Sequence, residues 1–351
     1  MAEPVWMIYG ANGYTGRRIA ETAARRGLKP ILAGRDPEKI AALAGSLDCP
    51  ARTFAVADRA GLMRGLSGVK VVLNCAGPFS ATAVPMIEGC LESRTHYLDI
   101  TGEIPAIEAA ASRHQRALQM GVTLLPAVGF DVVPSDCLAA KLAARLPGAT
   151  RLQLAFSGTG QVSDGTMRTI LQSLPQGGCA RINGRITKVP LLWKTMEIPF
   201  RSGPRFAVST PWGDVASAWY STGIPNIEVY LAVSQKPIPA LGLLRTLEPL
   251  ARLPWPKSWL RPVIRRMMRG PGGKSQQATR ASFWGRVYDA QGKSVAATLE
   301  TGEAYDLTVV TALACVGRVI LDPVAPGFWT PSKAFGADFV LSIPGSDFQW
   351  L

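Results

Sequence analysis

Short apolar runs alternate with longer amphipathic stretches over the first 125 residues of the chain. Short runs rich in Val, Ile and Leu predict buried strands, and apolar positions three or four residues apart predict helices. The predicted strands are Val5–Tyr9, Pro30–Ala33, Thr53–Val56, Val69–Asn74, Tyr97–Ile100 and Val122–Pro126. The predicted helices between them are Thr15–Arg26, Pro37–Ser46, Ala60–Leu66, Thr82–Ser93 and Ile104–Met120. This alternation predicts a parallel sheet of about six strands with helices on both faces.

After residue 134 the pattern changes from alternation to successive strands. The predicted strands here are Leu152–Phe156, Ala180–Lys188, Ile227–Val233, Ala281–Asp289 and Ser294–Glu300. Asp289 to Gly292 is predicted to be the hairpin turn that joins the last two strands. The predicted helices are Pro134–Leu146, Gly165–Leu174, Ala304–Val319 and Ser332–Val340. Runs of strands with few crossovers indicate an α+β domain whose sheet is mainly antiparallel.

The two patterns predict an α/β protein with an N-terminal Rossmann-like doubly wound parallel sheet and an α+β, mainly antiparallel, substrate domain. We place the dinucleotide-binding domain at residues 1–134 and the substrate domain at residues 135–320. Residues 321–351 are predicted to return and pack on the first domain. A length of 351 residues agrees with two domains, and a hydrophobic content of 47% excludes a disordered chain.

A glycine-rich loop joins the first predicted strand to the first predicted helix. Gly10, Gly13 and Gly16 have G-x-x-G-x-x-G spacing. Glycines allow a tight turn and a close approach of backbone N–H groups to a pyrophosphate, and the helix N-terminus adds partial positive charge. The strand–turn–helix context favours dinucleotide binding over a glycine turn without a ligand. The residues predicted to bind the cofactor here are Gly10, Ala11, Asn12, Gly13, Tyr14, Thr15 and Gly16.

The ends of the next strands complete the predicted cofactor site. Gly34 and Arg35 follow the second strand, and an Arg there suits the 2′-phosphate of NADP, which makes NADP(H) the predicted cofactor. Asp36 would instead suit the ribose of NAD, and stacking of Arg35 on adenine is the alternative interpretation. Asp58 is a candidate for the adenine amine or a solvated loop acid. The small residues after the fourth strand, predicted to pass close to the ribose or nicotinamide, are Asn74, Cys75, Ala76, Gly77 and Pro78.

Five motifs occur in order along the first 136 residues and resemble the saccharopine dehydrogenase-like oxidoreductases. They are Gly10–Gly16, Ala33–Arg35, Asn74–Phe79, Tyr97–Glu103 and Gly129–Asp136. Within that group the chain is similar to the branch that includes the trans-acting enoyl reductases of lipid and polyketide assembly. The resemblance implies an NADP-binding Rossmann domain, a substrate domain inserted before a C-terminal return, and hydride chemistry. It leaves the substrate open between amino-acid imines and acyl C=C bonds.

Hydride transfer requires orientation of the reactants and one proton donor, so the donor is difficult to find in a sequence. The candidates are Tyr97, Asp131, Tyr220 and Lys333. Tyr97 lies at a strand end where active sites of such sheets occur, and Asp131 lies at the predicted domain junction. No Tyr has Lys four residues later, which argues against a short-chain dehydrogenase, and the absence of G-x-S-x-G argues against a nucleophile-elbow hydrolase. Cys75 is interpreted as a core thiol rather than a nucleophile.

Metal ligands and sorting signals are not indicated by the sequence. Six Cys without a C-x-x-C pair and only two His, His96 and His114, argue against a metal cluster, so no metal site is predicted. The two His are interpreted as a sheet-end and a helix-surface residue. The chain start lacks a basic and an apolar region, and no apolar run reaches the length of a membrane span. A cytoplasmic protein with free thiols is expected.

The net charge of +13 is concentrated in one segment. Lys236 to Arg280 contains ten basic residues and one acid, which is +9 in 45 residues. Between residues 258 and 269 the apolar and Arg positions fall on opposite faces of a predicted helix that also carries Trp259. A basic amphipathic helix of this kind is typical of an anionic membrane surface, here through residues 241–269 on the cytoplasmic face. The alternative is a face that covers the substrate domain or a homodimer partner. Nucleic acid is not an expected partner, because no stacking platform accompanies the Arg residues.

Three hypotheses about function follow. The first is an NADPH-dependent reductase that acts on a small-molecule, lipid-like substrate at a membrane surface. The second is a soluble enzyme for an amino-acid or imine substrate, whose carboxylate Arg168, Arg181 or Arg185 would hold. The third is an NADP-binding sensor or scaffold without catalysis.

Overall fold

The structure, a computed structural model, describes residues 5–157, 177–233, 280–322 and 324–351. The predicted helix Gly165–Leu174, Arg168 and the basic segment up to residue 279 lie outside these residues. The chain forms two compact units. The first is Met1–Val133 with Tyr305–Gly336, and the second is Pro134–Ala304 with Ala337–Leu351.

The first unit contains a seven-stranded parallel sheet. Its strands are β1 (Trp6–Tyr9), β2 (Ile31–Gly34), β3 (Ala51–Thr53), β4 (Val71–Asn74), β5 (His96–Asp99), β6 (Thr123–Leu125) and β15 (Gly327–Phe328). The spatial order is β15-β6-β5-β4-β1-β2-β3. Apart from the added edge strand β15, this is the 3-2-1-4-5-6 order of doubly wound dinucleotide folds. The central strands β1, β2 and β4 are buried along their whole length, as expected for a sheet covered on both faces.

Helices connect these strands. They are α1 (Tyr14–Arg25), α2 (Pro37–Leu47), α3 (Arg59–Leu66), α4 (Phe79–Ser93), α5 (Ile104–Ala111) and α6 (His114–Met120). The prediction of one helix over Ile104–Met120 is wrong, because the helix is interrupted by a turn at Ser112 and Arg113. The Ser112 hydroxyl donates to the Ala109 carbonyl at 2.9 Å and competes with the helical hydrogen-bond ladder. The third strand also lies earlier than the predicted Thr53–Val56, because Phe54 leaves the strand and packs against Gly65.

The second unit is built on a nine-stranded sheet whose strand pairs are antiparallel except for β12 with β7. Its strands are β7 (Arg151–Ser157), β8 (Gly178–Ile182), β9 (Arg185–Val189), β10 (Thr195–Phe200), β11 (Gly203–Ser209), β12 (Asn226–Ala232), β13 (Ala281–Tyr288), β14 (Ser294–Thr301) and β16 (Asp347–Trp350). Helix α7 (Val133–Arg145) packs on one face, where Leu142 lies directly against Gly285. On the other face Trp284, Tyr230 and Phe200 belong to a buried apolar cluster. The predicted fold class is therefore confirmed.

Turns explain where the predicted strands differ from the observed ones. Ala180–Lys188 is a hairpin rather than one strand, because Asn183 and Gly184 both have positive φ, the requirement of a tight two-residue turn. The predicted turn at Asp289 is confirmed, since its carboxylate accepts from the N–H groups of Gln291 and Lys293. The hairpin of β10 and β11 and the helix α8 (Asp214–Thr222) were not predicted.

The C-terminal part differs from the predicted organisation. Helix α9 (Ala304–Leu321), expected to close the substrate domain, lies almost entirely in the first unit, where the Phe130 N–H donates to the Thr308 hydroxyl. Strand β15 joins the first sheet, whereas β16 pairs with β14 in the second, so residues 321–351 do not all return to the first domain. The predicted helix Ser332–Val340 is interrupted at Gly336, leaving α10 (Pro331–Phe335) and a 3-10 turn at Phe339–Ser342.

Helix α9 is also, within the described ranges, long and apolar enough to cross a bilayer by length and composition. Its mean hydropathy is 1.6, and half of its 18 residues are buried inside the protein. Core helices of soluble proteins have the same properties, so this helix carries no argument about a membrane.

Candidate cofactor-binding and active site

The loops after β1 and β4 lie side by side at the carboxyl edge of the first sheet. These two strands pair directly, with Tyr9 opposite Asn74. Since β2 lies beyond β1 and β5 lies beyond β4, the strand order reverses direction at this point. Open α/β sheets bind ligands at such a switch point. A Cβ on Gly10 would come within 2.8 Å of the Ala76 backbone nitrogen, which shows how closely the two loops pack.

The glycine loop has the shape that a pyrophosphate requires. Gly10 has a φ of +79°, a conformation that favours glycine, and its carbonyl accepts the Gly13 N–H at 3.0 Å. A Cβ on Gly16 would lie 2.4 Å from the Gly10 oxygen, so only glycine lets α1 approach the loop this closely. Helix α1 has no side-chain cap at Gly13 and no acid in its first turn. Its amino end therefore presents N–H groups and partial positive charge to an anion.

The charged residues at the tip of β2 have separate roles. The Asp36 carboxylate accepts the Lys39 N–H at 3.2 Å and pairs with the Lys39 ammonium at 2.7 Å, capping α2. Asp36 is thus used by its own helix, whereas Arg35 is exposed beside it. This arrangement leaves the Arg35 guanidinium exposed at the strand tip, and its contact with a 2′-phosphate stays a prediction. Asp58 is exposed at the start of α3, which agrees with either of the roles predicted for it.

The loop after β4 is held by hydrogen bonds of the buried Asn74 and the half-buried Thr82 side chains. The fully buried Asn74 accepts the Ala76 N–H at 3.1 Å, and the Thr82 hydroxyl donates to the Ala76 carbonyl at 2.6 Å. Burial and the nearby Asp99 raise the pKa of the Cys75 thiol far above its usual value. A thiol held protonated is a poor nucleophile, which favours the interpretation of Cys75 as a packing residue.

Tyr97 lies in the core rather than at an accessible surface. Its side chain is 0% exposed, and its hydroxyl donates to Asp99 at 2.6 Å. Asp99 also accepts the N–H groups of Thr101 at 2.9 Å and Ala127 at 2.8 Å. This network joins β5 to the loops that follow β5 and β6. Its burial argues against Tyr97 as the group that donates a proton to a substrate.

Asp131 is the predicted donor whose surroundings shift its pKa toward neutral pH. Burial and, second, the charge of Glu103 raise the pKa of Asp131 to about 7. A carboxyl that titrates near neutral pH can both give and take a proton. Gly102 packs directly against the Asp131 side chain. A Cβ on Gly102 would be 2.6 Å from the Asp131 Oδ2.

The other predicted site residues belong to α10 of the first unit and to the second unit. Lys333 is exposed on α10, after the edge strand β15, three strands from β4 in the sheet. Tyr220 belongs to α8 of the second unit, and its role as a donor stays a prediction. Arg181 donates to the carbonyls of Val215 and Gly184 at 2.9 and 2.8 Å, which are structural contacts.

Both histidines accept backbone hydrogen bonds through Nδ1. His96 accepts from Thr123 and His114 from Phe328, each at 3.0 Å. Among the described residues, no group of three or more His, Cys, Asp or Glu has an arrangement that could hold a metal ion.

Glu103 was not among the predicted site residues. Its carboxylate accepts the N–H groups of Phe79 at 2.9 Å and Ser80 at 2.8 Å, the first residues of α4. The sequence motif Tyr97–Glu103 contains this residue, yet nothing in its spacing shows that it caps a helix 23 residues earlier in the chain.

Comparison with known proteins agrees with this site. Residues 6–125 match the family model of the saccharopine dehydrogenase NADP binding domain. This chain carries that NADP-binding domain. The resemblance recognised from the motifs is therefore confirmed, and NADP(H) is the cofactor that the family model assigns to the first unit.

The curated relatives are oxidoreductases of the same group. A human saccharopine dehydrogenase-like oxidoreductase is 31% identical over 150 residues, which is 37% of this chain and 35% of the relative. A trans-acting enoyl reductase from Mycobacterium leprae is 30% identical over 138 residues, 37% of this chain and 33% of the relative. The matches thus span only about a third of the length of these two relatives.

The fold as a whole has a solved counterpart. Apo saccharopine dehydrogenase (L-Glu forming) from Saccharomyces cerevisiae superposes with a TM-score of 0.67 over 99% of this chain and 100% of that one. At 13% sequence identity this similarity shows the shared fold alone.

Proposed function

We propose that this protein is an NADPH-dependent reductase that delivers a hydride to a C=C, C=O or C=N bond of a hydrophobic, lipid-like substrate at a membrane surface. The observation that carries the proposal is the carboxyl edge of the first sheet. There an NADP-binding glycine loop packs against the 74–78 loop, and Asp131, with a pKa of about 7, belongs to the same unit.

The residues present fit NADP(H). A Cβ would fill the space at Gly10 and Gly16, Arg35 offers a guanidinium for a 2′-phosphate, and the amino end of α1 suits the pyrophosphate. When bound, the cofactor supplies the hydride, and NADP⁺ is the oxidised product. The protein must supply one proton for the second atom of the reduced bond.

Asp131 is our candidate for that proton. Near pH 7 a carboxyl with this pKa is about half protonated, so it can give a proton and recover one from solvent. The 74–78 loop is held by hydrogen bonds of Asn74 and Thr82, and it forms the surface beside the glycine loop.

The lipid-like substrate and the membrane surface rest on two supports. Relatives of this chain are named as trans-acting enoyl reductases. The sequence also concentrates +9 of its charge between Lys236 and Arg280 with an amphipathic pattern. Binding of such a segment to a membrane is stabilised by attraction to anionic headgroups and by burial of its apolar face. A homodimer contact through the same face is the competing use.

Two assays test the proposal. NADPH oxidation at 340 nm is followed with 2-enoyl thioesters, with 2-enoyl lipids in vesicles, and with imines formed from an amino acid and an aldehyde. We expect turnover with an enoyl substrate, whereas turnover only with the imines would support the soluble amino-acid enzyme instead. No oxidation with any class, despite tight NADPH binding, would indicate the sensor or scaffold.

The membrane claim is tested by co-sedimentation with phosphatidylglycerol vesicles at low salt. The comparison variant changes Arg265, Arg266 and Arg269 to Gln, which removes three charges from one face of the predicted helix. We expect the parent protein to sediment and the variant to bind more weakly, with both losing affinity in high salt. A protein that stays in the supernatant and has the mass of two chains would support the dimer contact.

A further inference from the structure

The amino end of α4 is held by a residue from another part of the sheet edge. Pro78 at the start of this helix offers no side-chain acceptor, and its first turn has no acid. The Glu103 carboxylate, which precedes α5, accepts the N–H groups of Phe79 and Ser80 at 2.9 and 2.8 Å. One carboxylate thus satisfies two of the donors that a helix leaves open, and its negative charge faces the positive end of the helix.

Holding this turn also holds the 74–78 loop. Thr82 in the same turn donates to the Ala76 carbonyl at 2.6 Å, and Ala76 lies against Gly10 of the phosphate loop. A displacement of the first turn of α4 would therefore move Ala76 and disturb the surface on which the cofactor loop rests.

The same short segment positions Asp131. Gly102, the residue before Glu103, lies so close that a Cβ would be 2.6 Å from the Asp131 Oδ2 and 2.9 Å from its Cβ. The charge of Glu103 is the second cause, after burial, of the raised pKa of Asp131. The charge of Glu103 also acts on Asp99, which lies on β5 at the same edge.

We infer that Glu103 is a positioning residue that links the two halves of the candidate active site, fixing the 74–78 loop through α4 and seating Asp131 through Gly102. The inference rests on the proposed role of Asp131 in proton transfer. Glu103 itself touches neither the cofactor loop nor the reacting bond in this assignment, so it acts through the groups it holds.

The test compares Glu103→Gln with Glu103→Asp and with the control Glu92→Gln. Glu92 lies near the other end of α4 and pairs with the exposed Arg59, so its substitution removes the same charge from the same unit. The first readout is the pH titration of the Asp131 carboxyl carbon by ¹³C NMR, assigned with Asp131→Asn. The second is the NADPH dissociation constant from fluorescence. Neither readout needs an identified substrate.

Glu103→Gln should lower the pKa of Asp131 and weaken NADPH binding about 3- to 10-fold, the loss expected when hydrogen bonds at a helix end are broken. Glu103→Asp keeps the charge but reaches less far, so it should weaken NADPH binding while leaving the Asp131 titration close to that of the parent. Glu92→Gln should change neither. A purely structural role would lower the melting temperature without moving the titration.

An unchanged Asp131 titration in folded Glu103→Gln, or unchanged NADPH binding in Glu103→Asp, overturns the inference. If Glu103→Gln does not fold, the Glu103→Asp result alone decides. Absence of turnover in the parent protein, with these shifts present, would instead remove the proposed function and leave the positioning role intact.

Discussion

Substituting Gly16 by Ala tests the geometry of the cofactor loop most specifically. The added Cβ would lie 2.4 Å from the Gly10 oxygen and 3.1 Å from the Ala11 Cα. Nonbonded carbon atoms prefer about 3.5–4.0 Å. Both neighbours are backbone atoms, which cannot rotate away as a flexible side chain would. The loop or the start of α1 must therefore shift by roughly 1 Å.

That shift disturbs the atoms expected to bind the cofactor. The Gly10 carbonyl accepts the Gly13 N–H at 3.0 Å, so moving it changes the direction of the N–H groups offered to the pyrophosphate. Overpacking of this kind costs about 1–3 kcal/mol, and each 1.4 kcal/mol corresponds to about a tenfold change in affinity. We expect Gly16→Ala to weaken NADPH binding by about 10-fold or more, measured by fluorescence titration.

Gly45→Ala is the matched control. Gly45 lies at an exposed position inside α2, and an added methyl group there would meet no heavy atom within 4 Å apart from its chain neighbours and its own helix. Alanine there should stabilise the helix by up to about 1 kcal/mol and leave the NADPH dissociation constant unchanged. A folded Gly16→Ala protein that binds NADPH within about twofold of the parent would refute the proposed loop geometry.

Three further predictions concern single residues of the first unit. Arg35→Ala should weaken NADPH binding by about 10- to 100-fold, because a charge-assisted contact is lost, and should change NADH binding little. The control is Arg26→Ala, at the residue that follows the far end of α1. Equal losses for both nucleotides would show that Arg35 does not bind the 2′-phosphate. His96 accepts a backbone N–H, and burial lowers its pKa, so its contribution to the unfolding free energy is present above pH 6.5 and is lost as the pH falls. In His96→Asn, which keeps an acceptor, urea unfolding at pH 7.5 and 5.5 should show less acid destabilisation than in the parent; an identical difference would contradict this. Asp131→Asn should bind NADPH normally but abolish turnover, and a fully active variant would exclude Asp131 as the donor.

Local signals in the sequence predict most strands and helices of residues 5–125, apart from the interruption at Ser112 and the position of β3. Apolar runs separated by amphipathic stretches fix strands and helices whose partners are close in the chain, and the glycine spacing identifies the loop because backbone approach excludes other residues. Arg35 follows from its place at the tip of β2, and its contact with a 2′-phosphate stays a prediction. What the sequence left open was Asp36, and only the capping bond to Lys39 shows that its carboxylate serves α2.

Local sequence patterns do not predict the pairing of strands that lie far apart in the chain. Strand β15 has two residues and pairs with β6, about 200 positions earlier, while β16 pairs with β14 in the other unit. Neither assignment follows from periodicity, since such short segments have no distinctive pattern. The tip at Asn183 and Gly184 could have been predicted, because Asn-Gly is a strong hairpin signal.

The candidate site shows the same limit. Tyr97 was chosen for its place at a strand end, but whether a side chain faces the edge or the core depends on packing, and here its hydroxyl is directed to Asp99 in the interior. Glu103 was missed because its partners, the N–H groups of Phe79 and Ser80, come together only when β4 and β5 pair.

The central claim, that this protein transfers a hydride from NADPH, is tested most directly with deuterium. NADPH labelled with deuterium on one face of C4 of the nicotinamide is incubated with the protein and the enoyl or imine substrates, and the products are analysed by mass spectrometry. NADPH can carry the deuterium on either face of C4, and our account predicts that one of these two forms gives a product that contains one deuterium. Gly16→Ala should reduce the amount of labelled product. A folded protein that binds NADPH tightly yet transfers no label to any of these substrates would contradict it.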